Sequence, residues 1–141
     1  MFEEACVKYD HISVPFEKMG KFHRTFEEYE KAIPYYEKAI EKGEKNSDYY
    51  YFLAECHYNI GRYEDAIGVL QTGADHEGYA GDYFLLMARA YSRQDSMVLA
   101  EQALVRGLKS FPDDPGLSQG LQAIRQSMSS TGVGPKGNNR D

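Results

Sequence analysis

Residues 47–80 read SDYYYFLAECHYNIGRYEDAIGVLQTGADHEGYA. Ser47 or Asp48 can accept the free amide hydrogens of a helix reaching Ile60. Gly61 breaks that helix, and Tyr63 to about Asp75 makes a second one. The same layout recurs on either side. Ala66 has Ala32 and Ala100 at a spacing of 34, and Ala54 has Gly20 and Ala88. The fourth position of each segment holds Phe16, Tyr50 and Phe84, the seventh Met19, Leu53 and Met87, and the eleventh His23, His57 and Tyr91. On the second helix Tyr36, Leu70 and Leu104 follow the alanines, and Ala39, Gly73 and Gly107 supply the next small position. Such a period marks helical hairpins that stack, since one hairpin cannot bury its own apolar face. An unrelated bundle also places aromatics at helical spacing, but it has no reason to hold a fixed repeat.

The pattern resembles that of the tetratricopeptide repeat family. Its first helix carries a large aromatic, an aliphatic, a small residue and an aromatic, and its second carries Ala with a large apolar residue. The resemblance covers residues 13–114, and the family's terminal proline survives only as Pro112. It implies an all-α fold, a right-handed superhelical stack of antiparallel helix pairs, or α-solenoid. Repeats are expected at 13–46, 47–80 and 81–114, a capping helix at 115–128 and a disordered tail at 129–141. Small residues let paired helices approach, so Gly20, Ala54 and Ala88 should face Ala32, Ala66 and Ala100.

Helices are expected from Ser13 to Phe26, Glu28 to Lys42, Asp82 to Arg93 and Ser96 to Ser110, besides the pair in residues 47–80. Pro34 lies inside the second helix and predicts a kink. Pro112 and Pro115 forbid continuation beyond Ser110, and a last helix near Gly116 to Met128 sets Leu117, Leu121, Ile124 and Met128 on one stripe. Gln119, Gln122, Arg125 and Gln126 of that helix should meet water. Upstream, Phe2 and Ala5 match Tyr36 and Ala39 in register, a two-residue pattern that fits either a remnant of a preceding repeat helix in residues 1–12 or a chance match.

At 141 residues and 42% hydrophobic content, the chain can bury one core. Net charge is −6, from 22 acidic and 16 basic residues, which disfavours nucleic acid and anionic membranes as partners. No apolar run approaches a membrane span, and the start, Met1-Phe2-Glu3-Glu4, is unlike a signal peptide, so a cytoplasmic protein is expected. Cys6 and Cys56 suggest neither metal nor disulfide.

No catalytic constellation, cofactor or metal site is expected. The glycines from Gly132 follow no strand and open no helix. His11, His23, His57 and His76 never pair at i,i+4, and His23 and His57 read as aromatic filling. The charge run at Glu27-Glu28-Tyr29-Glu30 reads as a solvated helix face.

Function therefore falls to surfaces. The resemblance implies that residues two, five, nine, twelve and thirteen of each repeat face a concave groove. These are Val14, Glu17, Lys21, Arg24 and Thr25; Asp48, Tyr51, Glu55, Tyr58 and Asn59; and Asp82, Leu85, Arg89, Ser92 and Arg93. Tyr49, Tyr50, Tyr51 and Phe52 are consecutive, and at about 100° per residue they cannot share one core. Tyr51 begins a stripe with Glu55 and Tyr58. The expected activity is non-enzymatic binding of a peptide segment of a partner protein. Tyr51, Tyr58, Leu85 and Phe52 would hold its apolar anchors, Lys21, Arg24, Arg89 and Arg93 its acidic flanks, and Glu55, Asp48 or Asp82 a basic residue.

Some family members clamp the acidic tails of heat-shock chaperones. Those clamp positions read Glu17, Lys21, Phe52, Asp82 and Leu86, with two carboxylates that would repel such a ligand. Two alternatives stand beside peptide binding. One is a self-associating scaffold, a homo-oligomer favoured if Phe16, Phe22, Phe26 or the Phe2 segment is exposed. The other, from layout alone, is a small cytosolic secretion chaperone for an apolar client.

Overall fold

The computed structural model describes residues 14–42, 46–75 and 79–131. The helix remnant expected around Phe2 and Ala5, the Ser13 cap and the tail beyond Thr131 lie outside them. All regular structure among the described residues is α-helical. The chain divides into two compact units, Met1–Tyr79 and Ala80–Asp141. In the first, α1 (Val14–Thr25) pairs with α2 (Tyr29–Lys42) and α3 (Ser47–Asn59) with α4 (Tyr63–Gly73), while α2 also packs on α3. In the second, α5 (Asp82–Arg93) pairs with α6 (Met97–Ser110), and α7 (Pro115–Thr131) packs on both.

The three hairpins close through the same hydrogen bonds at the same register. Glu28 N–H donates to the His23 carbonyl at 2.8 Å, Arg62 to His57 at 2.9 Å and Ser96 to Tyr91 at 2.9 Å. One residue earlier, Glu27 donates to Arg24 at 2.9 Å, Gly61 to Tyr58 at 3.0 Å and Asp95 to Ser92 at 3.0 Å. This double arrangement is a Schellman cap, which demands a left-handed residue at its turn. Glu27, Gly61 and Asp95 fill that place, with φ of 60°, 85° and 60°. The carbonyls of Glu28, Arg62 and Ser96 then accept the first bonds of the next helix, from Ala32, Ala66 and Ala100 at 3.0 Å each. The closing residue of one helix thus opens the next.

In the first unit Gly20 is buried so tightly that a methyl there would stand 2.9 Å from the Tyr36 ring. The equivalent pairs are Ala54 with Leu70 and Ala88 with Leu104, so the first hairpin exchanges a methyl for a larger partner side chain. Phe16, Met19, Ala39 and Tyr49 form one core cluster, and Ala32, Ile33, Tyr36, Leu53 and Cys56 another that joins α2 to α3. Phe16, a candidate for exposure, is only 7% exposed, because α2 and α3 cover it with Ala39 and Tyr49. Phe22 and Phe26 remain exposed. Pro34 does not end α2; its ring is exposed, and Glu30, whose carbonyl loses its helical donor, is exposed too. The cap of α3 is Asn46, not Ser47 or Asp48, since its side chain accepts from Asp48 N–H at 2.9 Å.

In the second unit a methyl on Gly107 would lie 2.8 Å from Cβ of Phe84. α7 begins at Pro115 rather than after it, because proline is well suited to a first helical position, where no N–H is needed. The Asp114 carboxylate caps it, accepting from Leu117 N–H at 3.1 Å. Leu117 and Met128 are buried, and Leu121 and Ile124 are half-buried. The helix continues past Met128 to Thr131. Arg125, expected to meet water, donates to Glu101 of α6 at 2.7 Å while remaining largely exposed.

The turn geometry predicts opposite signs at equivalent positions. Gly61→Ala should destabilise by about 1 kcal/mol, and Glu27→Gly should stabilise by about 0.5–1 kcal/mol, in urea unfolding. Gly107→Ala should cost about 1–3 kcal/mol, because the rigid Phe84 Cβ cannot withdraw.

Candidate functional site

The four consecutive aromatics of α3 part ways. Tyr49 enters the core against Phe16 and Ala39, and Tyr50 turns towards α2 and α4. Phe52 packs on Tyr36 of α2, with centroids 5.8 Å apart, and Tyr51 stands edge-on to Phe52 at 6.1 Å. Tyr51, Phe52 and Tyr58 are all half-buried, and Tyr58 meets the Tyr63 ring of α4 at 5.3 Å.

Arg24, at the end of α1, is the hub of this face. Its Nε donates to the Tyr36 hydroxyl at 3.1 Å, and its Nη1 donates to Glu55 at 3.2 Å. The guanidinium lies 4.1 Å from the Phe52 ring centroid. Partial burial works against its charge, but the Tyr36 hydrogen bond and the attraction of Tyr36 and Glu55 outweigh that, raising its pKa. For the Tyr36 phenol, burial acts the other way and raises the pKa, with Arg24 in opposition. Arg24 and Glu55 were expected to receive opposite charges from a ligand, yet here they neutralise each other. Lys21 is the exposed cation of the face.

On α5 of the second unit, Asp82, Leu85, Arg89 and Arg93 share a stripe by the helical period. Asp82, Arg89 and Arg93 are exposed and Leu85 is half-buried. Leu85 lies beside the glycines of α7; a methyl on Gly120 would stand 3.1 Å from its Cδ1.

A feature that the residue pattern did not indicate lies between α2, α3 and α4. A cleft of about 560 Å³ is lined by Glu37 and Ile40, by Tyr50, Leu53 and His57, and by Glu64, Asp65 and Val69. His57 does fill core space, being 7% exposed, but its Nδ1 has no hydrogen-bond partner among the described residues. Burial pushes its pKa down, against Asp65 and Glu37, which favour the charged form, and with help from Arg62. The neighbouring Cys56 thiol is pushed up to about 12 by burial, so it is inert as a nucleophile. Among the described residues no three His, Cys, Asp or Glu side chains converge on a metal position, and no helix is long and apolar enough to cross a membrane.

Comparison with known proteins places this geometry. A family model described as tetratricopeptide repeat matches residues 25–78. Tetratricopeptide repeat protein 8 of Caenorhabditis elegans is 28% identical over 83 residues, which make up 57% of this chain and 16% of that protein. The chain therefore spans a small part of that relative's length. Among solved structures, MamA superposes with a TM-score of 0.79 at 16% identity, covering 91% of this chain and 75% of that one. The Yersinia enterocolitica type III secretion chaperone SycD, in complex with a peptide of the translocator YopD, gives 0.70 at 18%, covering 79% and 91%. The second such domain of human RPAP3, in complex with an HSP70 peptide, gives 0.71 at 19%, covering 80% and 94%. At these identities the likeness concerns the fold.

Arg24→Ala should destabilise the chain by about 1–2 kcal/mol, because it strips partners from Tyr36, Phe52 and Glu55 together. Tyr36→Phe, which keeps the packing, should cost about 1 kcal/mol, read from urea midpoints. His57 is neutral when folded and has a lower pKa than the unfolded imidazole, near 6.5, so the unfolded chain binds the extra proton first. This contribution is fully present above about pH 6.5 and declines as pH falls towards the folded value; His57→Phe should flatten the decline below about pH 6.5.

Proposed function

The chain is a tetratricopeptide repeat protein, and we propose that it works in the cytoplasm as a non-enzymatic protein-interaction module that takes up a peptide segment of a partner protein. In the first unit the receiving surface is the α1/α3 face, with Tyr51 and Tyr58 as apolar anchors, Lys21 as the available cation, and Phe52 held from beneath by Arg24. In the second unit the α5 stripe of Asp82, Leu85, Arg89 and Arg93 contributes its own contacts. The observation that carries this reading is the Arg24–Glu55–Tyr36 network, which holds the aromatic floor in place before any ligand arrives. A floor already ordered spares a ligand part of the cost of ordering it. Tyrosine suits such a surface, joining a large contact area to a hydrogen-bonding tip. Glu17 and Asp82 stand where a chaperone-tail clamp would need neutral or basic groups, so we expect a partner of different chemistry from the HSP70 peptide seen with RPAP3.

The exposed Phe22 and Phe26, whose rings lie 5.1 Å apart, favour a second reading, self-association through that end of α1. Multi-angle light scattering separates the two: a dimer that Phe22→Ser/Phe26→Ser returns to monomer supports it.

For the principal reading, the wild type and a Tyr51→Ala/Tyr58→Ala variant of unchanged far-UV circular dichroism should be used for affinity capture from native lysate. Selective loss of a captured protein with the variant is the expected outcome. Equal retention overturns the α1/α3 assignment.

A further inference from the structure

The cleft between α2, α3 and α4 uses a different side of α3 from the Tyr51–Glu55–Tyr58 stripe. At about 100° per residue, Tyr50, Leu53 and His57 form their own stripe at i, i+3 and i+7, turned away from the first. The floor is aliphatic, from Ile40, Leu53 and Val69, and the rim carries Glu37 on α2 with Glu64 and Asp65 on α4. No lysine or arginine lines it. We propose that this cleft is a second docking site, which receives an arginine side chain presented by a partner protein.

Three observations converge on that occupant. Exposed carboxylates on two separate helices flank one apolar floor, and a guanidinium offers N–H donors in several directions at once, where an ammonium is a point charge. The methylene stem of arginine matches the aliphatic floor, because long cationic side chains bury their stems and keep their heads polar. His57 brings the third. It lines the cleft, it is more than nine-tenths buried, and its Nδ1 is unsatisfied, which is costly in a native structure unless a partner completes it. With the proton on Nε2, that nitrogen is an acceptor, the complement of a guanidinium N–H. Among the described residues the nearby cation is already engaged: Arg62, whose charge reaches His57, is paired with Glu30 at 3.7 Å.

The test is a titration of the full ¹⁵N-labelled chain with acetyl-Gly-Leu-Arg-Leu-Gly-amide and its citrulline counterpart, which keeps the shape and removes the charge. The arginine peptide should shift the His57 ring signals and the amides from Glu64 to Val69, with Kd below about 1 mM, and citrulline should weaken it by about tenfold. Glu64→Gln/Asp65→Asn should reproduce that loss. Gly68→Leu should abolish binding by filling the cleft, at a position where an added Cβ meets nothing within 4 Å, so folding is spared. Tyr51→Ala/Tyr58→Ala should leave it unchanged, which separates this site from the α1/α3 face. Equal binding of the two peptides, shifts centred on Tyr51 and Tyr58, indifference to Gly68→Leu, or no shift at millimolar peptide would each overturn the proposal.

Discussion

Each hairpin depends on a reversal made without a linker. The carbonyls of His23, His57 and Tyr91 accept the amides of Glu28, Arg62 and Ser96, and the carbonyls of those residues immediately start the next helix. With no slack between helices, the relative register of each pair is set by the turn. Small residues suit the place where paired helices cross, and Gly20, Ala54 and Ala88 are all buried. The turn is obtained at unequal cost, since Gly61 adopts a left-handed φ freely and Glu27 and Asp95 do so against their Cβ atoms. Packing beyond the turn must offset that strain in the first and third hairpins.

The first hairpin departs from the others, and the departure propagates. Gly20 makes room for Tyr36 where its counterparts are leucines. Tyr36 has a hydroxyl to offer, which takes Arg24, and Arg24 in turn reaches Glu55 and Phe52 on α3. One missing methyl thus ends in an ordered aromatic and charged surface on the next hairpin. The same chain explains why Arg24 and Glu55 are poor choices as free ligand contacts: each is already the other's counter-ion.

The repeat layout was legible because it is written in local spacing. Small and aromatic residues return every 34 positions, and helix ends follow within a few residues. Gly61 announced its turn, whereas Glu27 and Asp95 hid theirs, because a Cβ-bearing residue gives no sign of a left-handed φ. Pro112 and Pro115 do bar continuation beyond Ser110, but Pro115 also opens the next helix, and the carboxylate of Asp114 just ahead of it is the mark of that start. The Arg24–Glu55 pair spans 31 residues and is chosen by side-chain reach, to which no periodicity points. His57 was placed correctly as a core filler. That its Nδ1 would be left without a partner, beside carboxylates from two other helices, is a property of three helices together and of no single segment.

Cys56 carries a further consequence. Fully buried in the cluster that joins α2 to α3, with its thiol pushed up to about 12, it cannot meet a solvent reagent while that joint is closed. Its alkylation must therefore wait for the two hairpins of the first unit to part. The sulfur is a built-in clock for that breathing motion, ticking at the opening frequency of the very seam across which Arg24 reaches Glu55.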